Sequence, residues 1–150
     1  PLLAAPPATA AARQSAASGS YFDSEATRFT IAVLPDTQYL FDADSSDPEP
    51  LRATFKYLVS ERKEANIAFM AHLGDVTEHG TEHEIALASD TFTKLDGKMP
   101  YSVLAGNHDV SGADDQRGDS AYLRSFGPQR FSGMRPSAGP RRTVTTATTC

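Results

Sequence analysis

Three short apolar runs, each closed by a carboxylate or amide cluster, constrain what this chain can fold into. Residues 28–35 (RFTIAVLP) run into Asp36-Thr37-Gln38, residues 67–73 (IAFMAHL) into Gly74-Asp75, and residues 101–105 (YSVLA) into Gly106-Asn107-His108-Asp109. Short apolar runs stopped by Pro or Gly read as buried strands. The second is apolar on both faces, as an internal parallel strand must be.

Helical spacing fills the gaps between them. Over residues 51–65, Leu51, Phe55, Leu58, Val59 and Arg62 fall on one face. After the second run, Thr81 and Glu84 have the spacing of a capping box, and Ile85, Ala88, Phe92 and Leu95 share a face that Gly97 and Pro100 end. Residues 120–126 predict a further short helix. The order is therefore β-α-β-α-β, an α/β class with connections long enough for right-handed crossovers, so the strands should be parallel. Ligands of open parallel sheets gather outside the carboxyl ends of the strands. Asp36, Asp75 and the Asn107-His108-Asp109 turn all belong to such ends, and the long polar loop 36–50 between the first strand and its helix fits a functional edge.

Composition removes several function classes. A chain of 150 residues with a formal net charge of -5 is one domain's worth and lacks the basic surface of a nucleic-acid binder. Its only cysteine is Cys150, so neither an internal disulfide nor a thiolate metal cluster is available. No apolar run approaches the ~20 residues of a transmembrane helix. None of the strand ends carries a Gly-rich phosphate loop, which disfavours a simple nucleotide-binding module.

Both ends differ from the middle. Residues 1–27 open with an Ala/Pro/Ser-rich stretch that cannot build a core. It reads as a disordered segment or as a signal-peptide remnant, with Ala8-Thr9-Ala10 as a small-x-small cleavage site. The second reading implies a secreted or cell-envelope protein, the first leaves a cytoplasmic one open. Residues 136–150 (PSAGPRRTVTTATTC) carry neither strand nor helix period. They read as a disordered terminus or as the product of a shifted reading frame, which the genomic sequence around residue 135 decides.

Carboxylates and an amide gathered without a cation would repel one another, and a divalent ion removes that conflict. Oxygen-rich ligation suits Mn, Fe or Mg, with Zn also compatible. A carboxylate shared between two ions is the arrangement of two-metal hydrolysis. His108 is then a proton donor or transition-state contact, with Asp109 orienting its ring. Taken singly, Asp36 or Asp75 reads as an ordinary turn or cap residue; together with the third cluster they favour a site. His72, inside a strand, reads as a core residue, and His79, His83 and Asp42 as solvated.

The strings PDTQ, GDVTE and GNHD, in this order at consecutive strand ends, resemble the calcineurin-like metallophosphoesterase superfamily over about residues 29–127. The resemblance implies an αβ/βα sandwich, of which residues 28–135 are the N-terminal part, with the C-terminal part of the domain missing. It implies a dinuclear site in which Asp36 binds the first of two divalent ions, Asp75 bridges both and Asn107 binds the second. His108 contacts the phosphate or protonates the leaving group, and the substrate is a phosphate mono- or diester. Two departures stand out. Gln38 replaces the histidine most members carry, a neutral and weaker ligand, and no histidine follows Asp109 where the family places its remaining metal histidines. A truncated or non-catalytic fragment keeping part of the metal site is the alternative. In either case a partial sheet should leave an unpaired edge and an uncovered face.

Overall fold

The computed structural model describes residues 22–23, 25–110, 119–132 and 134. The readings of residues 1–21 as a flexible or signal segment, of residues 111–118 as loop and of 136–150 as a non-family tail lie outside these. The elements are β1 (Thr30–Leu34), α1 (Glu49–Glu61), β2 (Ile67–His72), α2 (Glu82–Phe92), β3 (Tyr101–Val103), α3 (Ala121–Phe126) and α4 (Pro128–Phe131). The strands form one parallel sheet in the order β1-β2-β3. This is an α/β arrangement consistent with part of a metallophosphoesterase fold.

Local chemistry sets the element ends. α1 starts two residues before its apolar face because Pro50 sits in the first turn, where its missing N–H has no partner to lose. It stops at Glu61, short of residue 65, and the chain turns into β2 through Asn66 at φ 45°. The Asn66 side chain donates to the carbonyls of Arg28 (2.7 Å) and Asp23 (3.1 Å) and accepts from the Asp23 N–H (2.8 Å). Asp23, near the end of the 1–27 segment, is thus held against this turn. α2 has the expected capping box: Thr81 Oγ1 accepts from the Glu84 N–H and Glu84 Oε2 from the Thr81 N–H, both at 3.2 Å. β3 ends at Val103 rather than residue 105, because β2 ends at His72 and Gly74, at φ 105°, carries its neighbour away.

The helices cover one face of the sheet. Phe92 of α2 is the centre of that core, with ring centroids 4.9 Å from Phe55, 5.3 Å from Phe126 and 5.9 Å from Tyr101. Met70 and His72 of β2 point into it and are fully buried. The alternate residues point the other way. Ile31 (52% exposed) and Val33 (57% exposed) pair in register with Phe69 and Ala71, and Leu73 and Leu104 extend the same apolar exposure. Among the described residues nothing covers this face and nothing pairs the outer edges of β1 and β3.

Candidate metal centre

Each strand ends in a turn that returns the chain towards the other two. After β1, Asp36 Oδ1 accepts from the Gln38 N–H at 2.8 Å, closing an Asx turn that leaves Asp36 exposed and Gln38 buried. The next N–H, of Thr37, donates to the Asp75 carbonyl at 3.0 Å. After β2, Gly74 and Asp75 both have positive φ, 105° and 51°, and Asp75 is not a glycine. Backbone strain of that kind persists only where the surroundings impose it.

The third turn imposes it. Asp75 Oδ1 accepts from the His108 N–H at 3.1 Å. A Cβ on Gly106 would lie 1.9 Å from Asp75 Oδ1 and 2.4 Å from the Asp75 backbone nitrogen, so only glycine admits the aspartate here. Asp109 is 1% exposed, and its two oxygens take four donors: the N–H groups of Val76 (3.0 Å), Thr77 (2.8 Å) and Gly106 (2.8 Å), and the Thr77 hydroxyl (3.0 Å).

A buried relay joins the first two turns. The Gly74 N–H donates to His72 Nδ1 (3.1 Å), so the ring proton resides on Nε2, which donates to Thr37 Oγ1 (2.9 Å). The Thr37 hydroxyl in turn donates to the Val76 carbonyl at 3.1 Å. Burial lowers the proton affinity of His72 below the ordinary imidazole value, against the opposing pull of Asp109, Asp36 and Asp75. His72 is a core residue, as its strand position suggested.

His108 behaves in the opposite way. Its Nδ1 donates to the Glu78 carbonyl at 2.8 Å, and that bond, helped by the charges of Glu78, Asp75 and Asp36, raises its pKa against a smaller desolvation effect. The expectation that Asp109 orients this ring is corrected. The Asp109 oxygens are spent on the loop after β2, and Glu78 holds the imidazole. Nε2 of His108 makes no hydrogen bond among the described residues.

Asp36, Asp75 and His108 therefore lie at one edge of the sheet, tied through backbone contacts, and Asn107 occupies the exposed position between Gly106 and His108. The donor set fits a hard divalent cation. Asp36 and Asp75 each have one oxygen with no hydrogen bond among the described residues, and the missing side chain of Gly106 leaves the room that the Asp75 carboxylate occupies.

A second group escaped sequence reasoning. Ligand atoms of Asp42, His79 and Glu84 lie within 4.8 Å of one another, close enough to hold one metal ion. Glu84 is fully buried and accepts from the His79 N–H (3.0 Å) and the Thr81 N–H on Oε2, and from His79 Nδ1 (3.1 Å) on Oε1. Burial alone would push the Glu84 carboxyl up, but these donors together bring it below its usual value. His79 is raised, chiefly by its bond to Glu84. His79 is exposed, as expected, yet it is a partner of the capping residue. The signal was a histidine five residues before a capping glutamate, and that pattern by itself is common.

A profile described as calcineurin-like phosphoesterase matches residues 29–142. The uncharacterized protein YvnB of Bacillus subtilis (strain 168) is 30% identical over 105 residues. That alignment covers 69% of this chain and 8% of YvnB, so the chain corresponds to a small part of that protein's length. No solved structure gives a significant match.

Proposed function

The chain belongs to the calcineurin-like phosphoesterase family, and on that premise we propose that it carries the N-terminal part of a metal-dependent phosphoesterase site that hydrolyses a phosphate mono- or diester. The observation that carries the reading is the strained Asp75, held by the third turn against a glycine that no other residue could replace. Asp36, Gln38, Asp75 and Asn107 are the proposed ligands of two divalent ions. When bound, such ions supply Lewis acidity that activates water and neutralises the phosphate oxygens. The chain's own residues do the rest. Asp75, between the other two turns, is the proposed shared ligand. His108 donates Nδ1–H to the Glu78 carbonyl, so Nε2 of the neutral ring is an acceptor, and it carries a proton for the leaving oxygen in the imidazolium form that this bond favours. Asp109 is a positioning residue that fixes the Val76–Thr77 and Gly106 backbone.

A second reading is favoured by Gln38. With a neutral amide in place of an imidazole, this reading makes the chain a non-catalytic one that keeps part of the site. Hydrolysis of p-nitrophenyl phosphate and bis-p-nitrophenyl phosphate with added Mn, beside Asp75→Asn, separates the two. Turnover that needs the metal and is lost in Asp75→Asn supports the enzyme. No turnover in the parent supports the fragment, and turnover indifferent to metal and to Asp75 refutes the proposed site.

A further inference from the structure

We infer that a groove on the helical side of the molecule, away from the strand-end carboxylates, binds a small multiply charged phosphate anion. The groove has a volume of about 910 Å³ and runs along α1 towards the turn that follows α2. Its charged lining is Arg52, Lys56, Lys94 and Lys98 against Glu49 and Asp90. The whole chain has a net charge of -5 and only four lysines, and three of them line this one groove.

The carboxylates do not cancel the lysines. Arg52 lies between Glu49 (2.7 Å) and Asp90 (3.6 Å) and engages both. Lys56, Lys94 and Lys98 are exposed and form no ion pair among the described residues. Three cations around one concavity repel one another, and an anion of matching charge relieves that repulsion. The volume falls in the range of small-molecule clefts, which argues for a compact ligand over a flat macromolecular surface. The side chains point to phosphate rather than carboxylate. Bidentate carboxylate recognition is the work of the arginine fork, and the single arginine here is already taken, whereas ammonium groups act as point charges suited to a dense phosphate.

The topology separates the Lys94–Lys98 end of this groove from the metal centre. Lys94 and Lys98 precede β3, at the amino ends of the strands, while Asp36, Asp75 and Asn107 follow the carboxyl ends. β2 alone, six residues long, puts about 20 Å between those edges. No residue of the groove belongs to the proposed catalytic set, so the two sites can be tested independently.

The test is calorimetric titration of the chain with sodium triphosphate in metal-stripped buffer. It compares the parent, Asp75→Asn, and a variant combining Lys56→Gln, Lys94→Gln and Lys98→Gln. All three lysines are exposed, so the combined variant should fold, and its circular dichroism checks this. The expected result is binding by the parent, weakened about tenfold or more in the lysine variant, unchanged in Asp75→Asn, and weaker as salt rises. Absence of binding at about 5 mM triphosphate overturns the inference, as does binding that survives the lysine substitutions. Loss of binding in Asp75→Asn would assign the anion to the strand-end site instead. Citrate binding as tightly as triphosphate would overturn the preference for phosphate.

Discussion

Asp109 offers the sharpest test of how the three strand ends are held together. Its carboxylate is 1% exposed and accepts four hydrogen bonds, at 2.8, 2.8, 3.0 and 3.0 Å. In Asp109→Ala, the N–H groups of Val76 and Thr77 lose their acceptor, and both residues are fully buried. The Thr77 hydroxyl can rotate to another acceptor, and the Gly106 N–H, in a half-buried turn, can reach water. The two shut-in donors, each costing roughly 1–3 kcal/mol, set the scale, and the lost charge-assisted bonds add to it. A destabilisation of about 4 kcal/mol follows, a large part of the ~5–15 kcal/mol that holds a domain of this size. Asp109→Asn should fall between, at about 2 kcal/mol, because the amide oxygen keeps one pair of donors while its NH₂ faces the other pair. Urea unfolding followed by far-UV circular dichroism measures both. His108→Ala is the control. The neighbouring ring holds one carbonyl and is partly exposed, so its loss should cost under ~1 kcal/mol. An Asp109→Ala protein within ~1 kcal/mol of the parent would refute the clamp, whatever its effect on activity.

Gly106→Ala should disturb the site more than its size suggests. The new methyl overlaps Asp75 Oδ1, so either that turn moves or the fold is lost, and Mn affinity measured by calorimetry should fall at least about tenfold. Retained affinity would show that Asp75 does not need this cradle. Burial depresses the proton affinity of His72, so the unfolded chain binds its proton first as the pH falls. The stability His72 contributes is therefore present above about pH 6.5 and is lost as the pH falls from there towards its folded pKa. Urea midpoints at several pH values should show a shallower acid-side decline in His72→Gln than in the parent; equal slopes would sink the assignment. The two sheet faces should also respond differently. Val33→Lys, on the open face, should change stability by under ~0.5 kcal/mol, while Met70→Ala, on the helical face, should cost about 3 kcal/mol. Thermal melts of the two variants check this, and comparable losses would mean that something covers the open face.

The parallel sheet and its helices were legible because each rests on a local pattern. The runs ending at Asp36, Asp75 and Gly106 have strand lengths, and α2 has both its capping box and its apolar face. Element ends were less legible where they depend on a neighbour. β3 loses Leu104 and Ala105 because β2 turns away at Gly74, which no property of residues 101–105 records. The same holds within the candidate site. That Asp75, Asn107 and His108 share an edge followed from topology alone. That Asp109 serves the preceding loop rather than the adjacent histidine depends on which donors reach it across 32 and 33 residues of sequence. The Asp42–His79–Glu84 group was hidden for the same reason, since Asp42 comes from a different loop.

On the proposed reading, the hydrogen bonds of this edge divide the labour between fold and metal. Carboxylates that converge without a cation repel, so a site built only from ligands would spread apart when empty. Here the turns that carry the proposed ligands are joined by groups that a metal would not need. Thr37 binds the Asp75 carbonyl and the His72 ring, Asp109 binds the loop after Asp75, and the His108 N–H binds Asp75 itself. Most of these contacts are backbone or buried, and they oppose the repulsion whether or not a cation is present. The strain at Asp75 is sustained by the same contacts. Preorganisation of this kind lowers the cost of ordering the site when an ion arrives, because the turns are already in place. It also separates two properties that would otherwise fail together. On the proposed reading, loss of Asp36, which is exposed and bonded among the described residues only to its own turn, should remove metal affinity and leave the fold, whereas loss of Asp109 should remove the fold that positions every proposed ligand.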